Sequence, residues 1–148
     1  MSGADESRFR YVTYIRASAE QLWDGLTNPE FMAQYWFGMH AESIWEVGAD
    51  WRLVFADGRL ADTGEVLEAA PPHRLVLKWR NEFRPELKEE GFSRCIFEIE
   101  EMPGAVKLTV THTIPVVESK FIAGVANGWP RIISNLKSLL ETGDVVVG

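Results

Sequence analysis

The sequence is poor in cysteine and in clustered charge, and both shortages exclude functions. A single cysteine, Cys95, stands among 148 residues, which excludes an internal disulfide and a cysteine zinc cluster. No run of five like charges occurs, and the net charge is -7. Nucleic-acid and anionic-membrane surfaces need clustered Lys and Arg, so we expect neither as a partner.

Long hydrophobic runs are also missing. No apolar stretch of the sequence approaches the roughly 18 to 20 residues of a membrane span. The first residues, MSGADESR, do not combine a basic stretch with an apolar run, so they do not resemble a secretory signal. We therefore expect no membrane insertion and a cytoplasmic location.

Tryptophan, by contrast, is abundant. Six occur in a chain that is 46% hydrophobic and 25% charged, a composition typical of one globular domain over residues 1–148. A buried Trp removes about 200 Å² from water, or on the order of 5 kcal/mol at about 25 cal/mol per Å². Six tryptophans indicate a wide interior space to line.

The N-terminal segment predicts one strand and two short helices. Residues 8–16 alternate between an aromatic face and a charged face, as a strand does. Ser18, with Gln21 three residues later, forms a capping box at the start of a helix. The pair Asn28-Pro29 ends this helix. A second short helix through about residue 34 then leads into the aromatic segment QYWFGMH.

The middle of the chain, from residue 39 to residue 112, predicts six further antiparallel strands. Asp57-Gly58 is a hairpin turn between two of them, and Pro103-Gly104 turns the chain before the last one. Residues 81–91 form a polar connection that we expect to be long and mobile. On the last strand, His112 has the same parity as inward-facing apolar residues.

The C-terminal segment is helical, because apolar residues recur at spacings of three and four. Pro130 suits the first turn of a helix and not its interior. We therefore expect a short helix over residues 118–126 and a long one over residues 129–142, capped by Gly143. The apolar tail Val145 to Val147 is expected to fray or to dock on a neighbour.

This order of elements predicts an α+β fold. A curved antiparallel sheet of about seven strands would wrap around the long C-terminal helix, which alone is large enough to cover its apolar face. A sheet that curls around one helix need not contact it everywhere. Where the two diverge a cavity opens, and the segment QYWFGMH is placed to cap one end of it.

The same order resembles a known family over about residues 10–142. The resemblance lies in ASAEQLWDGLTNPE, QYWFG, VGADWRL, GEVLEAAPPHRLVLKW and GWPRIISNLKSLL. These segments are similar to the START-like (SRPBCC) superfamily with its helix-grip fold. Within it, they resemble the group named after the activator of the ninety-kilodalton heat-shock chaperone's ATPase.

The resemblance implies a deep, mostly apolar pocket between the sheet and the C-terminal helix. Superfamily members bind lipids, sterols, polyketides or plant hormones there, and some have become cyclases or hydrolases. The eukaryotic chaperone activator has an additional N-terminal domain that grips its partner. A chain of 148 residues leaves no room for that domain, so we expect a bacterial-type single-domain member and do not carry chaperone stimulation over.

Residues expected to face or gate this pocket are the candidate ligand contacts, because a ligand cavity is normally apolar with a few convergent polar groups. They are Tyr35, Trp36, Phe37, Met39, Trp51, Leu53, Phe55, Trp79, Phe97, His112, Phe121, Trp129 and Ile133. Those of the segment QYWFGMH would gate the pocket, with the Tyr35 hydroxyl at its rim. The alternative is that all of them pack as core.

His112 is the most informative polar candidate. A neutral imidazole that faces inward can hydrogen-bond a ligand or act as a general base near neutral pH. The alternative is a histidine satisfied by a backbone carbonyl or a carboxylate. His40 is expected at the rim and His73 in solvent. Three histidines without a shared spacing do not predict a metal site.

The remaining polar residues are interpreted as surface or core. Asp50 and Asp62 would approach the pocket only if the strand register were displaced by one residue. Arg131 is a candidate for an anion contact near the mouth, and Cys95 is expected to be a small buried apolar group. No nucleophile elbow, Ser–His–Asp pattern or glycine-rich phosphate loop is present, so no cofactor is expected.

Three functions follow as hypotheses. We favour non-enzymatic binding of a small apolar or amphipathic molecule. A cyclase or hydrolase would use His112 as its acid–base group, and a protein-interaction module would take a chaperone as partner. The apolar tail and the exposed strand edges leave homodimerisation open.

Overall fold

The computed structural model describes residues 5–148. Its elements, in chain order, are β1 (Ser7–Ile15), α1 (Ala19–Thr27), α2 (Pro29–Tyr35), β2 (His40–Glu42), β3 (Asp50–Val54), β4 (Leu60–Ala70), β5 (Arg74–Asn81), α3 (Pro85–Lys88), β6 (Ser93–Met102), β7 (Ala105–Ile114) and α4 (Lys120–Thr142). The expected order of one strand, two short helices, six strands and a C-terminal helix is confirmed, with α3 as an addition.

The seven strands form one antiparallel sheet in the order β1-β7-β6-β5-β4-β3-β2. Inward-facing positions meet across neighbouring strands, so that Cys95 of β6 lies opposite both Leu77 of β5 and His112 of β7. Apolar residues of α4 and of the inner sheet face belong to one hydrophobic cluster. The α+β helix-grip fold expected from the sequence is therefore confirmed.

Side-chain caps fix where the two short helices begin. The Gln21 N–H donates to Ser18 Oγ over 3.1 Å, and the Ser18 N–H donates to Gln21 Oε1 over 2.8 Å, which completes the predicted capping box. Asn28 Oδ1 accepts from the first N–H groups of α2. Because these caps satisfy otherwise free helix donors, they set the point at which the aromatic segment leaves α2.

The prediction of two C-terminal helices separated near Pro130 is wrong. One helix, α4, runs without interruption from Lys120 to Thr142 and ends at the left-handed Gly143. Pro130 removes one helical hydrogen bond, at a cost of about 3 kcal/mol. The apolar spacing continues across it without a shift, and Trp129 and Ile133 are both buried. Their burial favours the continuous helix.

The connection over residues 81–91 is not an open loop, so that prediction also needs correction. Pro85 occupies the first turn of the short helix α3, a position that proline suits. Glu82 accepts from Thr63 Oγ1 over 2.8 Å, and Glu90 accepts from the Lys120 N–H over 2.9 Å. Two carboxylates thus tie the connection to β4 and to the start of α4.

One acidic residue of β4, Asp62, faces the opposite side of the sheet from the one expected. Asp62 faces α4, on the same side of the strand as Gly64 and Val66. The sequence was interpreted with Asp62 on the outer side. The adjacent apolar pair Val66 and Leu67 does not follow a simple alternation, and an irregularity between Val66 and Glu68 lies at the same place. Asp50 is exposed, as expected.

The backbone of the C-terminal tail docks on its own helix. Asn135 of α4 is buried, and its Oδ1 accepts from the N–H groups of Val146 and Val147 over 2.9 and 2.8 Å. Its Nδ2 donates to the Val147 carbonyl over 2.8 Å. A buried amide needs such partners, and the tail supplies them.

Candidate functional site

A cavity of about 240 Å³ lies between the sheet and α4. The segment after α2, the connection over residues 81–91 that contains α3, and the first half of α4 border it. Its apolar lining consists of Trp36, Met39, Leu53, Trp79, Phe83, Leu87, Phe121, Val125, Trp129 and Ile132, and its other lining residues are Asp62, Asn81, Arg84, Gly124 and Gly128. The volume is somewhat below the roughly 300 to 1,000 Å³ of most ligand pockets, so the cavity suits a small molecule.

The end of α2 separates two neighbouring aromatic residues of the segment QYWFGMH, Trp36 and Phe37. Trp36 is only 8% exposed and lines the cavity, whereas Phe37 is 45% exposed on the outside. Phe37 has a φ of 55° and Gly38 a φ of 85°, so the chain turns in the left-handed region immediately after the helix. This turn directs Trp36 inward and brings Met39 back to the cavity wall.

Three indole rings form the wall of the cavity. The ring centroids of Trp36 and Trp129 are 5.4 Å apart, those of Trp79 and Trp129 are 5.7 Å apart, and those of Trp36 and Trp79 are 6.2 Å apart. They come from three different elements of the fold. One stacked contact, between Trp36 and Trp79, and two edge-to-face contacts of Trp129 hold the rings against one another, an arrangement that aromatic pairs favour, so the wall is aromatic and closely packed.

Asp62 is the acidic group of the cavity. It is only 7% exposed, and its Oδ2 accepts a hydrogen bond from Trp79 Nε1. Its Oδ1 accepts from Asn81 Nδ2 at a longer 3.5 Å, and Asn81 is its register partner on β5. Burial raises the pKa of the Asp62 carboxyl to about 6, against the opposing effect of the Trp79 bond.

His112 lies behind this wall and is 0% exposed. Its Nδ1 is 3.1 Å from Trp129 Nε1, and its Nε2 is 2.8 Å from Ser93 Oγ. An indole N–H can only donate, so Nδ1 is the acceptor and the ring proton is on Nε2, which donates to Ser93. The Ser93 hydroxyl in turn donates to the Trp79 carbonyl over 2.9 Å.

This network does not favour acid–base chemistry at His112. Both ring nitrogens are occupied by protein groups, and burial lowers the pKa of His112 to about 3. The serine hydroxyl points its proton away from the imidazole. His112 corresponds to the satisfied core histidine that the sequence left as an alternative, although its partners are a tryptophan and a serine.

Five other predicted site residues do not line the cavity. Tyr35 is buried and its hydroxyl donates to the Gly25 carbonyl over 2.7 Å, so it is not a rim hydroxyl. Trp51 and Phe97 border a void of about 20 Å³, which is near the lower limit for one water molecule. Phe55 packs edge-to-face on Phe83 with centroids 5.0 Å apart. Ile133 is buried in the core.

The surface candidates lie outside the cavity. His40 pairs with Glu42 over 3.2 Å, and the exposed His73 pairs with Glu101 over 2.8 Å. Arg131 is exposed, with its guanidinium carbon 5.5 Å from the centre of the Phe37 ring. Cys95 is buried in the inner sheet face, as expected, and burial raises the pKa of its thiol.

Sequence reasoning missed several cavity residues for identifiable reasons. Asp62 was expected on the outer side of β4, and Asn81, the last residue of β5, was interpreted as the first residue of the polar connection. Phe83 and Leu87 lie in the connection that was interpreted as a mobile loop. Gly128 lies inside a helix that was expected to be broken there. An amphipathic turn starting at Pro85 was the one available signal for α3.

Two further observations concern residues 5–148. No helix in this range is long and apolar enough to cross a membrane. Nor does the described part of the chain bring three His, Cys, Asp or Glu side chains together as a metal ion would require.

The sheet that wraps around one long helix and leaves a cavity beside it defines a helix-grip protein. A family model described as Activator of Hsp90 ATPase homolog 1-like protein matches residues 16–141. The chain therefore belongs to this family. No curated protein sequence matches it.

Solved structures share the fold at low sequence identity. A protein from Mesorhizobium loti is 20% identical with a TM-score of 0.78, over 94% of this chain and 100% of that one. An HSP90 activator from Plasmodium falciparum is 22% identical with a TM-score of 0.73, over 90% and 96% of the two chains. The Aha1 dimer from Colwellia psychrerythraea is 18% identical with a TM-score of 0.75, over 93% and 98%. At these identities the likeness concerns the fold.

Proposed function

We propose that the protein binds a small apolar or amphipathic molecule in the cavity between the sheet and α4, without transforming it. The observation that carries this proposal is the aromatic wall of Trp36, Trp79 and Trp129 around about 240 Å³ of space. Removing apolar ligand surface from water would drive binding, at about 25 cal/mol per Å². Asp62 and Asn81 are the polar groups that would fix the orientation.

Binding is favoured over catalysis because of how the polar groups are placed. The only histidine near the cavity, among the residues that the structure describes, is the enclosed and neutral His112. A general acid or base must come within hydrogen-bond reach of the proton it transfers, and Trp79 and Trp129 occupy that approach. Asp62 alone has no second catalytic partner in the cavity lining.

The test is native mass spectrometry on protein purified from its own cells, followed by organic extraction of any bound molecule. Gly128 provides a sharp variant, because a Cβ added there would meet only Ile132 Cδ1, at 3.9 Å. Gly128→Leu should fill part of the cavity, and it should not weaken α4 because Gly costs a helix interior up to about 1 kcal/mol. Ala123→Leu, on the exposed face of the same helix, is the matched control.

We expect a discrete bound mass in the wild type and in Ala123→Leu, and its loss in Gly128→Leu with an unchanged or higher Tm. A bound mass that persists in Gly128→Leu would place the ligand elsewhere. An unliganded wild type, with no thermal shift across a panel of lipids, aromatics and polyketides, would mean that the tryptophans serve as core.

A protein-interaction role is the second candidate, and a groove on the opposite side of the sheet favours it. The groove encloses about 970 Å³, and Ile44, Arg52, Glu65, Lys78 and Phe92 are among its lining residues. Ile44 is 70% exposed at its edge, and an exposed apolar group beside mixed charges is typical of a contact surface.

The family description and the Plasmodium falciparum relative suggest an Hsp90-type chaperone as the partner to test, and the Colwellia psychrerythraea relative suggests a second copy of the chain. A pull-down with the purified chaperone at physiological salt would compare wild type, Ile44→Asp and Gly128→Leu. Loss of chaperone binding in Ile44→Asp, with binding kept in Gly128→Leu, would support the groove as the contact surface. No retention by the wild type would exclude this partner.

A further inference from the structure

We infer that the cavity selects a protonated amine carried on an apolar body, with the ammonium N–H groups directed to Asp62. This inference rests on the proposed binding function and names the chemical class of its ligand. Three features of the cavity support it: an uncompensated carboxylate, an aromatic wall, and the placement of the surrounding charges.

The first feature is a buried carboxylate without a cationic partner. Within residues 5–148, none of the ion pairs formed by Lys, Arg or His includes Asp62. An ionised carboxylate offers about four acceptor positions, and Asp62 uses two, one of them on the long Asn81 contact. A buried charge is costly unless it is paired, so a ligand cation at this position would relieve the cost.

The second feature is the aromatic wall around the same space. Trp36, Trp79 and Trp129 line the cavity together with Asp62. The face of an indole ring attracts a cation within about 6 Å of its centre, and aromatic cages recognise ammonium groups in this way. Trp79 also holds the carboxylate in place through its Nε1 hydrogen bond. A carboxylate fixed beside indole rings is suited to an ammonium group.

The third feature is the arrangement of the other charges. Glu82, the residue after β5, contributes to raising the pKa of Asp62 through its charge, and Arg80 and Lys88 pair with it over 2.6 and 3.1 Å, so neither cation is directed at Asp62. Arg84 also borders the cavity, but its side chain is largely exposed and lies 3.8 Å from Glu86, so its charge is screened by water. An anionic head group at the depth of Asp62 would meet repulsion. The cavity therefore discriminates by charge as well as by size.

The experiment compares three probes with the same apolar body: 3-phenylpropylamine, 3-phenylpropanol and 3-phenylpropanoate. Binding to the wild type is measured by isothermal titration calorimetry at pH 7.5. The expected order is amine, alcohol, then carboxylate, with the amine bound at least about tenfold more tightly than the alcohol because a buried charge-assisted hydrogen bond is formed. This comparison in the wild type needs no variant.

Two variants then locate the selectivity. Asp62→Asn keeps an acceptor for Trp79 Nε1 but removes the charge, so the amine should lose about tenfold in affinity while the alcohol changes less than about threefold. Asp50→Asn makes the same charge change at an exposed position on β3 and should leave all three affinities unchanged. Near-UV circular dichroism would show whether the tryptophan wall is retained.

The outcomes separate this inference from the function on which it rests. Equal affinity of amine and alcohol in the wild type, or an amine preference that survives in Asp62→Asn, would overturn the inference while leaving cavity binding in place. Failure of all three probes to bind the wild type would overturn the inference, and native mass spectrometry of the wild type would then decide cavity binding independently. A preference lost in Asp62→Asn and kept in Asp50→Asn would support the amine assignment.

Discussion

Trp129 Nε1 donates a 3.1 Å hydrogen bond to His112 Nδ1, so one side chain of α4 fixes the tautomer of another on β7. The opposite ring nitrogen then donates to Ser93 on β6. This chain of contacts joins the helix to the centre of the sheet directly behind the cavity. It also requires a neutral imidazole, since a protonated Nδ1 could not accept from the indole.

The first prediction concerns the pH dependence of stability that follows from His112. Burial lowers its pKa from 6.5 to about 3 in the folded protein, so between these values the unfolded chain binds a proton that the folded protein excludes. The stability that depends on neutral His112 is complete above about pH 6.5 and is lost as the pH falls toward 3. His112→Asn lacks this loss, and its Oδ1 can still accept from Trp129.

Urea unfolding at pH 7.5 and pH 4.5 measures this effect. The wild type should lose about 2 to 3 kcal/mol more than His112→Asn between the two conditions. Taking the difference between the two proteins cancels the other titrating groups. If the wild type and His112→Asn lost equal unfolding free energy between pH 7.5 and pH 4.5, the imidazole would have to be protonated in the folded protein at pH 4.5.

The second prediction concerns Asp62, whose contribution to stability is lost as the pH rises, in the opposite direction to that of His112. Its pKa is raised from 3.8 to about 6, so the folded protein retains a proton that the unfolded chain has already lost. The stabilising contribution is present below about pH 4 and is lost as the pH rises through 6. Asp62→Asn should therefore gain about 2 kcal/mol relative to the wild type between pH 4 and pH 8 in urea unfolding. A difference between the two proteins that stays constant from pH 4 to pH 8 would contradict this prediction.

The sequence predicted most of the fold because capping and alternation are local signals. The Ser18–Gln21 box and the inward parity of Cys95 and His112 depend only on near neighbours. The continuity of α4 through Pro130 depends on burial against the sheet, which outweighs the local effect of proline. Asp62 was missed because it was expected on the outer side of β4, a strand in which the adjacent apolar residues Val66 and Leu67 do not alternate. Its cross-strand pairing with Asn81 and its burial place it on the inner side.

The third prediction concerns close packing at Gly64, opposite Trp79 on β5. A Cβ at Gly64 would lie 1.6 Å from the Lys78 carbonyl oxygen and 2.7 Å from Trp51 Nε1, two atoms that are hydrogen-bonded to each other. Gly64→Ala must therefore separate β4 from β5 and should cost more than about 3 kcal/mol of unfolding free energy.

Gly124→Ala is the matched control, since a Cβ there meets no atom within 4 Å. It should stabilise the protein by up to about 1 kcal/mol, because alanine favours a helix over glycine. Thermal and urea unfolding of both variants would check the pair. A Gly64→Ala protein as stable as the wild type would mean that β4 and β5 do not pair in the register described.

The last prediction concerns Glu90, which ties the cavity-lining connection to α4. Its carboxylate accepts from the Ser119 hydroxyl and from the N–H groups of Lys120 and Phe121, the latter two over 2.9 and 3.4 Å. Because a carboxylate at a helix N-terminus satisfies free donors and complements the helix dipole, Glu90→Gln should cost about 1 kcal/mol. The neighbouring Glu89→Gln, at an exposed position, should cost little.

The same change should affect access to the cavity, since Phe83 and Leu87 belong to the connection that Glu90 anchors. Hydrogen exchange of residues 82–92 should be faster in Glu90→Gln than in Glu89→Gln, while exchange in β6 and β7 stays the same. The dissociation rate of 3-phenylpropylamine should rise by more than its equilibrium affinity falls, because the variant opens the mouth and leaves the tryptophan wall intact. Unchanged exchange in residues 82–92 would show that the connection is held by its other contacts, chiefly those of Glu82 with Thr63 and Arg80.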